Sequence, residues 1–221
     1  MKKVDKSTIK DIAIASAEIA GKTIINTLPG GSIVTSVFEA VKGGCLEKRQ
    51  SKWRESIEDR LGTVEKTLDD LGNSEIFTTT ILKATEIAMK TSSEEKREFL
   101  ANAVLNACYM DVEEEKVMVF LDLLDKYTIS HLKILIFFHN PKAFDIVAQS
   151  SYYMGSPTDP LFDVYPELNN KLFRKIYKDL FVDGMVNTED LNVTMTGNGM
   201  VAKRTTDLAD ELLGYIFARR A

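Results

Sequence analysis

The stretch "NNKLFRKIYKDLFVDG" (169–184) constrains the fold most, because its apolar and basic residues alternate at helical spacing. The apolar set follows the i, i+3, i+4, i+7 pattern and consists of Phe173, Ile176, Tyr177 and Leu180. The basic set repeats this pattern two positions earlier and consists of Lys171, Arg174, Lys175 and Lys178. Two residues turn a helix by about 200°. The stretch is therefore predicted to be a helix with one buried face and one basic face.

The elements around this helix predict a winged-helix-like module over residues 128–221. A short apolar helix capped by Ser130 comes first, and Gly184 suits the C′ position that ends the basic helix. The segments "MVNT" and "VTMT" then read as strand, with "VAKRTT" as their partner. Thr206 is predicted to cap a last helix.

The pattern Gly197-x-Gly199-x-x-Ala202 has two interpretations. A dinucleotide-binding loop would open a helix inside a βαβ unit, but residues 201–205 are predicted to extend as β rather than helix, and no second βαβ strand follows. The tip of a β-hairpin needs residues that tolerate positive φ, and Gly197-Asn198-Gly199 supplies them. The hairpin is the favoured interpretation.

The first part of the chain predicts a multi-helix domain over residues 1–127, so the expected fold class is mostly α. One apolar stripe from Leu46 to Leu71 indicates a single long helix, and Phe77, Ile81, Ala84 and Ala88 form a second stripe. Ser92 with Glu95 is expected to cap a third helix. The acidic run 111–115 suits the start of a fourth helix better than a metal site.

An apolar helical hairpin is expected near residues 12–41. Its stretch "TIINTLPGGSIVTSVF" (23–38) carries no charge, and Pro29-Gly30-Gly31 would break a membrane-spanning helix in the middle. The hairpin is expected to pack on the domain; the alternative is a hairpin that inserts into a membrane when triggered. The acidic residues among the first 18 argue against a cleavable signal.

A candidate binding surface follows from the basic helix and the predicted wing. Its residues are Asn169, Asn170, Lys171, Arg174, Lys175, Lys178, Lys203 and Arg204. These cations could neutralise phosphates, with the two asparagines reading bases. However, residues 128–221 contain 10 basic and 11 acidic side chains, a net charge of −1, and the whole chain has −5. A protein partner is therefore favoured, with nucleic acid as an alternative.

No catalytic, cofactor-binding or metal-binding residues are assigned. His131 and His139 lie within about 80° of each other on one helix, but no acidic residue stands three or four positions from either on that helix. Cys45 and Cys108 are far apart and are expected to be buried free thiols in a reducing cytosol. The expected function is non-enzymatic.

The chain resembles a poorly characterised group of bacterial helical proteins, the abortive-infection alpha (Abi-alpha) type linked to phage defence. The matching features are "LPGGSIV" before Lys48-Arg49, then "EEKREFLANAVLNA", "YTISHLKIL" and the ending "RTTDLADELLGYI". Ala209 stands where relatives tend to have a glycine. The resemblance implies a bacterial, non-enzymatic role in defence or stress, and it brings no catalytic residues.

The leading functional hypothesis is a cytoplasmic interaction or effector protein that binds a protein or ligand through its winged-helix-like module. One alternative is a DNA-binding regulator. The other is a membrane-active effector that uses the apolar hairpin and associates with the membrane on activation. Self-association through the helical stripes is a further option, which leaves the oligomeric state open.

Overall fold

A computed structural model describes residues 42–65, 68–109 and 113–217 of the chain. The described part is mostly helical, as predicted. The chain divides into two compact units, Met1–Lys126 with Tyr215–Ala221 and Tyr127–Gly214. The sequence predicted a boundary after residue 127 and assigned everything beyond it to one module, whereas Tyr215 onward belongs to the first unit. The predicted apolar hairpin near residues 12–41 lies outside the described residues.

The described part of the first unit is a helical bundle. After a π-helical turn (Lys42–Leu46), its helices are α1 (Glu47–Leu61), α2 (Leu68–Gly72), α3 (Glu75–Lys90), α4 (Glu94–Ala107) and α5 (Glu114–Lys126). Helix α3 packs against α4 and α5, and α4 also packs against α1. The second predicted stripe, Phe77 to Ala88, is buried in this core.

The apolar stripe from Leu46 to Leu71 is not a single helix. Helix α1 ends at Leu61, and the amide of Gly62 donates to the Glu58 carbonyl as a turn begins. Glycine costs about 1 kcal/mol in a helix interior, which favours a break here. The buried positions still follow the stripe, since Trp53 and Ile57 are both only 1% exposed.

Two helix starts lie one or two residues from the predicted caps. Ser93, not Ser92, caps α4, and its hydroxyl accepts from the Lys96 amide at 3.1 Å. Thr128, not Ser130, is the N-cap of the first helix of the second unit, where His131 completes a capping box. Serine and threonine are both favoured N-cap residues, so the sequence pattern does not choose between two that lie within two positions of each other.

Two buried asparagines hold the carbonyl end of the last helix within the first unit. Asn106 donates from Nδ2 to the Tyr215 and Phe217 carbonyls at 2.8 and 2.9 Å. Asn102 donates to the Ile216 carbonyl at 3.1 Å. The last carbonyls of a helix have no partner within the helix, and these amides supply partners where water is excluded.

The second unit is built from short helices. They are α6 (Ile129–His139), α7 (Asp145–Ala148), α8 (Thr158–Val164), α9 (Phe173–Val182), α10 (Gly197–Met200) and the first turns of α11 (Asp207–Ile216), which begins after Thr206 as predicted. Strand β1 (Met154–Gly155) pairs antiparallel with β2 (Met195–Thr196). Helix α9 packs against α6. No described helix is both long and apolar enough to cross a membrane.

The β-pairing corrects the predicted hairpin. Val186 and Thr205 form an antiparallel bridge, and the Asn187 amide donates to the Arg204 carbonyl at 2.9 Å. The outer ends of the predicted strands therefore pair. The predicted inner pairing is wrong, because Met195–Thr196 pairs with β1 instead.

The predicted hairpin tip is the one-turn helix α10. The Thr196 hydroxyl caps it by accepting from the Gly199 amide, and Gly184 alone has positive φ among the described residues. Gly197 meets a different need, which is close approach of two backbones. Its amide donates to the Tyr153 carbonyl at 2.8 Å, and a Cβ added to it would lie 1.7 Å from the Tyr152 carbonyl oxygen.

Replacing Gly197 by alanine is expected to destabilise the protein by about 2–4 kcal/mol, because the backbone at Tyr152 would have to move. Urea unfolding followed by circular dichroism measures the change. Gly214→Ala is the control, since nothing lies within 4 Å of its added Cβ. That variant is expected to gain up to about 1 kcal/mol. Equal stability of Gly197→Ala and the parent chain would refute the close approach.

Candidate binding groove of the second unit

Helix α9 presents the predicted basic residues by burying its opposite side. Tyr177 is 4% exposed and Leu180 is fully buried, whereas Arg174, Lys175 and Lys178 are exposed. The Tyr177 hydroxyl donates to the Thr188 carbonyl at 2.7 Å. Burial raises the pKa of Tyr177, so the phenol stays neutral as a hydrogen-bond donor. The helix is thus fixed against the core along one side.

The end of α9 is the Schellman turn that Gly184 predicted. Gly184 has φ of +72°, and its amide donates to the Phe181 carbonyl at 3.0 Å. The Met185 amide donates to the Leu180 carbonyl at 2.9 Å, and both of these side chains are buried. This pairing closes the helix and redirects the chain.

A groove of about 710 Å³ runs beside α9. We call it the α9 groove. Helix α9 and the turn before it contribute five polar side chains to its lining: Asn169, Asn170, Lys171, Arg174 and Lys178. Three aromatic side chains also line it: Phe162, Phe173 and Tyr177. The segment from Glu189 to Asn192 contributes the remaining residues together with Thr158. The groove therefore combines cations, aromatic rings and carboxylates.

Three of the predicted cations in this groove lack partners in the part of the chain that the structure describes. Lys171, Arg174 and Lys178 are exposed, and none forms an ion pair or a side-chain hydrogen bond with any residue that the structure describes. Lys171 lies in the turn before α9, not on the helix itself. By contrast, Lys175 is paired with Asp179 one helical turn later. The sequence grouped these four lysine and arginine residues together, but only three carry uncompensated charge.

Arg204 is not on the surface, contrary to the prediction. It is 4% exposed, and its guanidinium donates to the Gly199 carbonyl at 2.7 Å and to the Ala202 carbonyl at 3.3 Å. It also lies over the Phe138 ring, 5.7 Å from the centroid. Burial lowers its pKa. Arg204 therefore secures the chain around α10 and is removed from the candidate surface.

Lys203 is exposed but neutralised, because its ammonium pairs with Asp210. Of the two predicted asparagines, Asn170 is occupied within its own turn. Its Nδ2 donates to the Glu167 carbonyl at 2.6 Å, and its Oδ1 accepts from the Leu172 amide at 2.8 Å. Asn169 is exposed and lines the groove. The proposed base-reading pair is thus reduced to Asn169.

Phe162 and Glu189 are groove residues that the sequence reasoning did not assign. Phe162 meets Phe173 edge-on, with ring centroids 5.0 Å apart and an angle of 76°. Glu189 is exposed and pairs with no residue in the described ranges. The Asp190 carboxylate accepts from the Asn192 amide at 2.8 Å. The sequence signal for the segment from Glu189 to Asn192 was its position soon after the chain reversal at Gly184.

A second polar cluster surrounds Asp210. Its carboxylate accepts from the Thr205 hydroxyl at 2.6 Å, contacts His139 Nδ1 at 2.7 Å and pairs with Lys203. Burial acts to raise the pKa of Asp210, but the hydrogen bonds from Lys203, Thr205 and His139 outweigh it and lower the pKa. A carboxylate on imidazole Nδ1 is also found in catalytic dyads. Here His139 has no further hydrogen-bond partner among the described residues, so no nucleophile is paired with it.

His131 is a buried histidine with local partners. Its Nδ1 lies 2.9 Å from the Thr128 hydroxyl, and its ring stacks on Tyr127 with centroids 4.9 Å apart. Its Nε2 lies 3.7 Å from Asp179 Oδ2. The Tyr127 hydroxyl donates to Asp183 at 2.9 Å, and burial raises the Tyr127 pKa. These contacts tie the start of α6 to α9.

Within the described ranges, no three His, Cys, Asp or Glu side chains are placed to hold a metal ion. Cys108 is buried, as expected, and its thiol donates to the Val104 carbonyl at 3.5 Å. The expectation that Cys45 is buried is wrong, because Cys45 is exposed. It lies within the π-helical turn, ahead of Trp53, the first buried residue of the stripe.

No family model, no curated protein and no solved structure matches the chain. Arguments about function therefore rest on the groove and on the polar clusters of the described residues.

Asp210→Asn is expected to destabilise the protein by about 1–3 kcal/mol at pH 7, because hydrogen bonds to a charged acceptor are lost. The lowered pKa fixes the sign of the pH dependence. The carboxylate stabilises the fold above the ordinary aspartate value of about 4, and this contribution is lost as the pH falls through the lower folded value. Urea unfolding at a series of pH values measures the difference.

The exposed Asp207, in the same helix, provides the control. Asp207→Asn is expected to cost less than about 1 kcal/mol. An Asp210→Asn penalty that stayed constant down to pH 2.5 would contradict the role assigned to the ionised carboxylate.

Proposed function

We propose that this chain is a binding protein that recognises an anionic partner in the α9 groove, and that it does not act as an enzyme. The observation that carries the proposal is the trio Lys171, Arg174 and Lys178, which are exposed at one groove without ion-pair partners among the described residues. Elsewhere on the same unit, Lys175 and Lys203 are each neutralised by an aspartate. The groove therefore holds three of the four exposed cations of this unit that lack an ion pair in the described ranges, and Lys142, outside the groove, is the fourth.

An anion in the groove would relieve repulsion among these cations. Arg174 and Lys178 are one helical turn apart, the spacing at which like charges destabilise a helix. A guanidinium can bind a phosphate or carboxylate through two parallel hydrogen bonds, and the lysines add point charges. Oriented binding of a compact anion follows from this combination.

The same unit is poorly suited to duplex DNA. Residues 127–214 contain 8 basic and 11 acidic side chains, a net charge of −3. Arg204 is buried and Lys203 is paired, so the proposed wing offers no uncompensated cation. Glu189 and Asp190 line the groove together with the cations, so an extended phosphate backbone laid along it would meet carboxylates as well as cations, whereas a compact anion can contact the cations alone. These features favour a protein or small-molecule partner over the DNA-binding alternative.

The proposal keeps a winged-helix-like description for the second unit. Support comes from the order of α6, α9, the paired segments around Val186 and Thr205, and α11. The Abi-alpha resemblance adds a bacterial, cytoplasmic role in phage defence to the proposal. The membrane alternative depends on residues outside the described part of the chain.

Charge reversal of the groove tests the proposal. Isothermal titration calorimetry with tripolyphosphate, a compact polyanion, is expected to show binding to the parent chain. The triple variant Lys171→Glu, Arg174→Glu, Lys178→Glu is expected to bind at least about tenfold more weakly. Lys142→Glu is the matched control, because Lys142 is an exposed lysine of the same unit that does not line the groove.

Two outcomes would overturn the proposal. Equal affinities for the triple variant and the control would remove the groove as the anion site. Tight, steeply salt-dependent binding of a short DNA duplex, without binding of tripolyphosphate, would favour the DNA-binding regulator instead.

A further inference from the structure

We infer that the anionic ligand of the α9 groove is a nucleotide, with its phosphates at Lys171, Arg174 and Lys178 and its base against Phe173. The inference rests on the proposed function and names the ligand class. It comes from the aromatic rings and the carboxylates that share the groove with the cations. A simple polyanion would make no favourable contact with the rings or with the carboxylates.

Phe173 supplies a positioned aromatic surface. Its ring is half-buried, and it contacts Phe162 edge-on and lies nearly parallel to Tyr177 at 6.1 Å between centroids. These two contacts restrict the rotation of the ring. The exposed part of the Phe173 ring contacts no third aromatic ring among the described residues. Bases stack on such rings irrespective of their identity. The ring therefore offers a binding surface for a planar heterocycle.

The cations stand close to this ring along the chain. Arg174 follows Phe173 directly in the first turn of α9, Lys178 lies one turn further, and Lys171 precedes the helix by two residues. A ligand with a planar ring and a phosphate chain can engage Phe173 and these cations together. The guanidinium of Arg174 suits a phosphate geometrically.

The carboxylates discriminate between classes of anion. Glu189 is exposed, unpaired within the described ranges, and lines the groove with Asp190. An acidic peptide would be repelled there. A carboxylate accepts hydrogen bonds from an exocyclic amino group of a base, or from ribose hydroxyls. A nucleotide combines the anionic, aromatic and donor groups that these three sets of residues require.

The size of the groove agrees with such a ligand. At about 710 Å³ it lies within the range of about 300–1,000 Å³ that is usual for small-molecule and cofactor sites.

Calorimetric titration of the full chain with CTP, UTP, tripolyphosphate and a hexaglutamate peptide tests the inference. CTP and tripolyphosphate carry the same phosphate chain, so their difference isolates the nucleoside. CTP is expected to bind about tenfold more tightly than tripolyphosphate, a factor within the range of a stacked base. CTP should also bind more tightly than UTP, which lacks the exocyclic amino group.

Two substitutions separate the contacts. Phe173→Leu is expected to remove most of the advantage of CTP over tripolyphosphate while leaving tripolyphosphate binding unchanged. Glu189→Gln, at an exposed position, is expected to reduce the preference for CTP over UTP. Lys142→Glu is the control for both, and urea unfolding checks that each variant is folded.

The outcomes distinguish this inference from the proposed function. Equal affinities for CTP and tripolyphosphate, or tighter binding of hexaglutamate than of either nucleotide, would overturn the nucleotide assignment and leave anion binding in place. Absence of binding by all four ligands would overturn both.

Discussion

The burial of one side of α9 is the constraint on which the second unit depends. Tyr177 and Leu180 hold the helix against the core, so the opposite side, with Arg174, Lys175 and Lys178, faces solvent. The turn at Gly184 then stops the helix and buries Met185, after which Val186 reaches its bridge with Thr205. The same reversal returns the chain to α9, where residues 189–192 line the groove. One amphipathic helix with its C-terminal turn thereby assembles both sources of charge in the site.

Ion pairs with carboxylates determine which exposed cations of this unit can still bind a ligand. Asp179 pairs with Lys175, and Asp210 pairs with Lys203. Exposed ion pairs of this kind contribute only about 0–1 kcal/mol to stability. Their larger effect is on the surface potential, because they cancel the charges of Lys175 and Lys203, whereas Lys171, Arg174 and Lys178 have no ion pair in the described ranges. Ion pairing therefore concentrates the unpaired cations at the groove, with Lys142 as the exception outside it.

The sequence pattern correctly predicted the features that depend on neighbouring residues in the chain. The helical spacing of Phe173 to Leu180 and the glycine at 184 determine α9 and its end, and both were predicted from the residues alone. Arg204 was placed on the surface because basic residues are usually exposed, but carbonyls of the α10 region and the Phe138 ring accept it in the interior. Which carbonyls meet an arginine is a question of tertiary structure that spacing does not answer.

The groove and the Asp210 cluster show the same limit. His139 and Asp210 are 71 positions apart, so no motif connects them. Gly197 was assigned to a turn because glycine permits positive φ, whereas its actual role is to admit the backbone of Tyr152. Glycine has both uses, and the sequence does not distinguish them. The sequence feature that agrees with the helical turn α10 is Thr196, a residue type that commonly caps helices.

The two asparagines that bind the last helix give the chain a discontinuous organisation. Residues 127–214 are an insert in sequence terms, since the first unit resumes at Tyr215 with its carbonyls held by Asn102 and Asn106. The insert is therefore joined to the first unit at both of its chain ends. Removing or exchanging residues 127–214 would therefore require two junctions in the chain, at Lys126 and Tyr215, instead of one.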